Sequence, residues 1–268
     1  ALLAAGLAAG YRPTYAACGG VTNVATETEL NDAIADFNSQ AAPCDYAISI
    51  TADITLTGYL PDIQNEDSLN RLTINGNGYT LDFNFYDGLR FIGTIVRVED
   101  LTVTRGSWAA IVVFEGASAN GDLEVSGVTF NDNDTGLRVY ESTLGSNRAE
   151  VTDSVFTDNF HGVIVDLGSY ARVTRSSFEN NETGAFVQYG KLVITDSLFA
   201  NNTDDGVSQT EGEMTLINTT LAGNDQAVDM YDGDLFMAQV TISDNEDGIE
   251  VGAFNMDADL TVYNSVVT

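Results

Sequence analysis

The sequence predicts an all-β protein: a single-stranded, right-handed parallel β-helix of about ten rungs with a short N-terminal capping helix. Three observations predict it. A phrase centred on asparagine recurs at Asn133, Asn159, Asn181, Asn202, Asn224 and Asn245, with spacings of 26, 22, 21, 22 and 21 residues. Three places before each asparagine stands a large apolar residue: Phe130, Phe156, Phe178, Phe199, Leu221 and Ile242. A second apolar strand recurs between phrases, at Val151, Val173, Leu192 with Ile194, Leu216, and Leu260 with Val262.

One rung buries too little apolar surface to offset the entropy of ordering its residues, so stability has to come from stacking rung on rung. An asparagine at a fixed angular position predicts a ladder of side-chain amides that satisfies turn backbone groups. Glycine three residues later, as in Gly136, Gly162, Gly184 and Gly248, is expected to supply a positive φ at the corner. Right-handedness follows from the strong preference of parallel strand connections.

Ahead of the repeats, residues 1–17 form an apolar segment that reads as signal-like or as a retained assembly strand, and is too short to span a bilayer. Residues 18–46 read as a cap. Within it Thr26 and Glu29 form a capping box, and Leu30, Ala33, Ile34 and Phe37 share one helical face, predicting a helix over 27–37. Cys18 and Cys44 are the only cysteines and flank that helix. A disulfide between them would be worth about 3 kcal/mol in the chain-entropy model and favours an extracellular or cell-surface location. From residue 47 to 268 the pattern is that of short strands, beginning with Ile48 and Ile50, then Ile54 and Leu56, Leu72 and Ile74, Leu81 and Phe83.

Forty acidic residues stand against ten basic ones, for a formal charge of −30. Such a field excludes nucleic acid and anionic lipid as partners, since both need cations to neutralise phosphate. It suits a hydrated surface at high ionic strength, where like-charge repulsion is screened.

The stretch Leu30 to Leu81, with Ile54-Thr-Leu56, Leu72-Thr-Ile74-Asn-Gly-Asn-Gly and Tyr79-Thr-Leu81-Asp, resembles the opening of polymorphic outer membrane protein-type repeat proteins. Asp153-Ser-Val-Phe156 and Asp196-Ser-Leu-Phe199 are similar to repeats of that group and of pectate-lyase-like β-helices. The resemblance runs from about residue 21 to the last residue. It implies the fold, and a surface adhesin, a filament subunit or a polysaccharide lyase as the role.

A lyase of this kind needs calcium-binding carboxylates and an Arg or Lys base on one face. Arg138, Arg172 and Arg175 are its candidate bases, and Glu150, Asp153 and Asp196 its candidate ligands. A glycosidase needs paired carboxylates, for which Asp204 and Asp205 are candidates, with His161 the only histidine. His161, Asp204 and Asp205 fall at a corner that turn chemistry explains, and Asp153 and Asp196 fall on one repeat-phase column among 40 acidic residues, so no catalytic residue is assigned. No cofactor is expected. Calcium is the one metal the acids suit, at Asp232 and Asp234, where solvated turn acids are the plainer reading. Asn133, Asn181, Asn201 and Asn218 each begin an N-x-T triplet; the first two fall on the ladder, which leaves Asn201 and Asn218 as glycosylation candidates. Trp108, Tyr86, Tyr140, Tyr170, Tyr189 and Tyr231 offer a sugar-stacking strip, against which packing at the loops is the plainer account.

The last strand exposes its edge in mid-repeat. With the apolar N-terminal segment it motivates head-to-tail self-association, with Leu2, Leu3, Leu7, Val262, Val266 and Val267 as assembly candidates. The leading functional expectation is a non-catalytic structural or adhesive protein, self-assembling into a surface filament, with itself and surface glycans as partners. The alternatives are a polysaccharide lyase or glycosidase, and a passive carbohydrate-binding β-helix.

Overall fold

The computed structural model describes residues 17–40, 44–65, 70–114, 121–140, 147–252 and 258–268. Each rung passes through three short strands, as in Tyr170–Thr174, Ser177–Glu179 and Thr183–Gln188. Equivalent strands of successive rungs pair in parallel, building a first sheet of eleven strands, a second of ten and a third of nine among the described residues.

The alternation written in the sequence becomes an inside and an outside. Val125, Val151, Val173, Ile194 and Leu216 stack in register on the inner face of the first sheet, all buried. Phe130, Phe156, Phe178 and Phe199 stack on the second, ring centroids 4.4–4.6 Å apart and planes within 2°. That separation is close to the strand spacing itself. Leu221 and Ile242 continue the row. Each such side chain contributes about 1.5–3 kcal/mol when fully buried.

Asparagines line the corner between the second and third sheets. The Nδ2 of Asn133, Asn159, Asn181, Asn202 and Asn224 donates to Oδ1 of the next in line at 2.7–3.1 Å. The backbone N–H of each donates to the same oxygen at 2.9–3.1 Å. From Asn159 to Asn224, Nδ2 also donates to the carbonyl of a core phenylalanine one rung back, as Asn181 does to Phe156 O at 3.0 Å, and Asn245 donates likewise to Leu221 O. A second, hydroxyl ladder runs along the corner between the first and second sheets: Ser154 N–H donates to Ser176 Oγ and Ser176 N–H to Ser197 Oγ, each at 3.2 Å.

The glycines work differently from expectation. The positive φ at the ladder corner falls one residue before the asparagine, on Asp132, Asp158, Asn180, Asn201, Gly223 and Asp244. Gly136, Gly162, Gly184 and Gly206 are absent from that set; they are needed for closeness. A Cβ on Gly184 would lie 2.5 Å from Gly206 O and 2.6 Å from a Phe199 ring carbon. Asp and Asn tolerate the left-handed region because their short side chains bond locally.

The first sheet also starts earlier than the alternation suggests. Ala17–Val24 is its first strand and pairs with Asp45–Ile50, so stacked rungs begin before residue 47 and the helix is an insertion between two of them. The helix spans Glu27–Asn38, one residue longer than expected, with Thr26 Oγ1 accepting the Glu29 N–H at 3.3 Å and the Glu29 carboxylate accepting the Ala25 N–H at 2.7 Å. Its face of Leu30, Ala33, Ile34 and Phe37 is buried, closing the N-terminal end of the core. Leu2, Leu3 and Leu7 lie outside the described residues, as does the Cys18 side chain. Pairing of Ala17 with Asp45 brings the two cysteine-bearing segments side by side, and Cys44 is buried. Val262, Val266 and Val267 are about half exposed on the last strands.

Asn181→Ala removes an acceptor used by two Asn159 donors and a donor used by Phe156 O. It is expected to lower stability by about 2–4 kcal/mol in urea unfolding. Thr203→Ala, an exposed neighbour, is expected to stay within about 0.5 kcal/mol.

Candidate functional site

The outer face of the first sheet gathers much of the chain's positive charge. Register places Arg71, Ile95, Asp122, Arg148, Tyr170, Lys191 and Glu213 in one column. Thr73, Arg97, Glu124, Glu150 and Arg172 form the next. Five of the ten basic residues of the sequence therefore share one face. They are there because the outward position of a half-buried strand takes any polar residue, and successive rungs stand about 4.8 Å apart, within reach of cross-strand ion pairs.

The strip is balanced within itself. Arg97 Nε lies 2.9 Å from Glu99, Arg148 pairs with Glu150 and Lys191 pairs with Glu213 on the next rung. Arg148 also lies over the Tyr170 ring, 5.6 Å from its centroid, and feels the charge of Asp122. Arg172 Nε donates to Tyr170 Oη at 3.2 Å. At the N-terminal end of the strip Asp45, Arg71, Thr73, Ile95, Arg97 and Glu124 line a cleft of ≈ 340 Å³.

The residues proposed for lyase chemistry converge only in part: Arg175, Asp153 and Asp196 line one open concavity of ≈ 570 Å³, and the others lie apart from it. Arg172 and Glu150 sit on this strip. Arg175, Asp153 and Asp196 occupy the corner between the first and second sheets, where the Arg175 guanidinium binds Asp153 through two 2.8 Å hydrogen bonds. Those bonds hold the Asp153 carboxyl below its ordinary range. Arg138 is on the third sheet, in a two-bond pair with Asp166 at 2.7 and 3.2 Å. Three surfaces thus share one expected constellation.

Of the glycosidase candidates, Asp204 and Asp205 are neighbours that act on one another, while His161 stands apart. His161 opens the strand His161–Val165, two strands from Asp205 in the third sheet, roughly 10 Å away at strand spacing. Burial, then Arg138, pushes its pKa down to about 4, so it is neutral at pH 7. Its ring packs edge-on against Phe160, centroids 4.5 Å apart. Asp205 is buried, and burial, then the charges of Asp204 and Asp229, raise its pKa to about 7.

Asp232 is buried at a corner, while Asp234 points outward from the first sheet. Among the described residues no group of three or more His, Cys, Asp or Glu is placed to hold a metal ion. Asn201 and Asn218 are exposed, whereas Asn133 and Asn181 are buried in the ladder. Asn218 Nδ2 donates to Asp196 Oδ1 at 2.6 Å.

The aromatic residues do not form one strip. Trp108 stacks on Phe114, centroids 5.6 Å apart, and carries the Arg138 guanidinium 5.3 Å from its ring centre. Its ring is thereby engaged in packing; Val112 and Ile164, the neighbours of Arg138 on either side in the third sheet, face outward from the core yet are buried. Tyr170 belongs to the first-sheet strip, while Tyr189 and Tyr231 lie at the end of the third sheet, one position out of step. The first-sheet strip itself escapes motif reasoning, because it has no motif. Its signal is the charged residue flanked by inward apolar ones in Val96-Arg-Val98, Leu123-Glu-Val125, Ala149-Glu-Val151 and Ala171-Arg-Val173.

Comparison with known proteins agrees on the fold. Residues 21–136 match the family described as "Putative pectate lyase-like adhesive domain", and residues 161–268 match the family described as "Right handed beta helix region". No curated protein matches. Among solved structures the periplasmic alginate epimerase AlgG is similar at 10% identity, with 92% of this chain and 83% of that chain covered and a TM-score of 0.45. A double mutant of AlgG is similar at 11% identity, with 92% and 84% covered and a TM-score of 0.46. At these values the likeness says nothing of activity. Among the described residues no helix is long and apolar enough to cross a membrane.

A carboxyl whose pKa is higher folded than unfolded takes up a proton on folding. The stability contribution of Asp205 is therefore full below about pH 4 and lost as pH rises to about 7. Facing Asp204, Asp225 and Asp229, ionised Asp205 should cost about 1–3 kcal/mol after allowance for solvent screening. Asp205→Asn should accordingly be the more stable protein at pH 8 and lose that advantage at pH 4, as read from urea midpoints of both proteins.

Proposed function

We propose that this protein is a non-catalytic extracellular adhesive or structural β-helix, and that the mixed-charge strip of the first sheet is its contact surface. The observation that carries the reading is the internal pairing of that strip. Glu99, Glu150 and Glu213 each already hold a cation, so their oxygens are engaged in ion pairs instead of being offered to a metal ion. Guanidinium donors and carboxylate acceptors interspersed on one sheet face suit a hydroxyl-rich glycan, whose groups act as both donor and acceptor. A strongly anionic polysaccharide would meet the repulsion of the whole chain, at a formal charge of −30. The description of the matched N-terminal family as an adhesive domain supports the same reading. The Cys18–Cys44 disulfide and head-to-tail association into a filament belong to this proposal.

One observation favours the alternative, a polysaccharide lyase or glycosidase. A base meets two carboxylates on the exposed surface at Arg148, which lies among Glu150, Asp122 and Tyr170, and at Arg175, which lies between Asp153 and Asp196.

Two measurements separate the readings. Incubation with neutral and uronate polysaccharides should release no new reducing ends and no unsaturated uronates. Retention on immobilised neutral glycans should weaken at least about fivefold in Arg97→Ala/Arg172→Ala, with unfolding curves near wild type. Turnover that disappears in Arg148→Gln would replace the adhesive reading with the enzymatic one.

A further inference from the structure

Lys191 is the last cationic side chain of the sequence, and fifteen carboxylates follow it. Before it, the outward columns of the first sheet mix signs, and where like faces like, as Glu124 over Glu150, an arginine stands on the rung to either side, Arg97 and Arg172. After it, register sets like charge on like. Glu213, Asp234 and Asp259 succeed one another on the first sheet. Asp229 faces Glu250 on the third. Asp225 and Glu246 each follow a ladder asparagine, and their N–H groups bond to the ladder residue of the preceding rung, which stacks them one rung apart. Burial, then Glu250 and Asp204, raises the pKa of Asp229, a sign that these carboxylates act on one another.

Rungs stand about 4.8 Å apart. The screening length of the solution falls from about 10 Å at 0.1 M salt to about 3 Å at 1 M, and so passes through that spacing. In a stack where each rung is held only by its neighbours, repulsion confined to one end destabilises that end alone.

We propose that the rungs from Asp205 onward form an ionic-strength-gated segment, which opens at low salt and closes onto the Phe199 rung when mobile cations screen its stacked carboxylates. The rungs up to Lys191 stay folded at both extremes. Gating is a property of the charge distribution, independent of what the first-sheet strip contacts.

Hydrogen exchange of the whole chain, resolved by peptide at constant pH in 20 and 500 mM NaCl, tests this. Amides of 205–252 are expected to exchange at least about tenfold more slowly at the higher salt, while strands from Arg71–Asn75 to Lys191–Thr195 change less than about threefold. Asp225→Lys/Asp234→Lys/Glu250→Lys, at three exposed positions, should flatten the response, with protection of the earlier rungs reporting that the variant has folded. Asp225→Asn/Asp234→Asn/Glu250→Gln should flatten it in part. A salt response spread evenly over all rungs, or one unchanged in both variants, overturns the proposal. So does full protection at 20 mM NaCl by 1 mM CaCl₂, which would mean a discrete cation site in place of screening.

Discussion

Every feature of this chain depends on registry between one rung and the next. Parallel pairing without slippage puts phenylalanine on phenylalanine and amide on amide. A slip of one residue would turn each inward row to solvent. Register is specified twice over, by apolar rows that tolerate only one face and by the asparagine ladder, whose oxygen takes two donors from the preceding rung. The apolar rows supply most of the driving force. Their chemistry would accept leucine for isoleucine or a small shift, while the ladder accepts neither. Energy and precision therefore come from different residues, a few ångströms apart on the same corner.

The same registry decides what the surface looks like. A residue pointing outward on one strand is extended into a column by its equivalents above and below, so charges on this protein occur in rows. Where the rows mix signs, as along Arg97, Glu124, Glu150 and Arg172, the face is polar and close to neutral. Where they repeat, as at Glu213, Asp234 and Asp259, the face stores repulsion. Function on such a scaffold is decided by the composition of columns, which is why scattered candidates such as Arg138, Arg172 and Arg175 come to rest on three different surfaces.

Much of the architecture was legible in the sequence because it is periodic. Phe130, Phe156, Phe178 and Phe199, and the six asparagines, announce themselves by spacing alone. The role of Gly136, Gly162, Gly184 and Gly206 was not, since a glycine demanded by close approach reads the same as one demanded by positive φ. The first strand, Ala17–Val24, was hidden because Cys18-Gly-Gly has the composition of a turn. The first-sheet strip was legible only as unremarkable polar positions between apolar ones; its cross-rung pairs join residues about 22 apart, and that proximity exists only once the coil is wound. The acids at Asp204 and Asp205 looked like a motif because a repeat rich in turn carboxylates generates motifs at its corners.

The three corners of a rung are unequal in one further respect. Between first- and second-sheet strands the chain allows two residues, as from Thr174 to Ser177, and it does so from Ser126 through Thr241. Between second and third it allows three or four over the same rungs, as from Glu179 to Thr183 or Ala200 to Asp205. Between third and first the link runs from a single residue at Tyr231–Gly233 to eight between Val139 and Arg148. Two corners are locked by their hydroxyl and amide ladders, and at the remaining one the described residues carry only isolated amide bonds between rungs, at Asn70 and Asn147. Length can be gained or lost along that single seam without disturbing the coil, which makes it the place where relatives of this chain can diverge and where a foreign loop could be grafted.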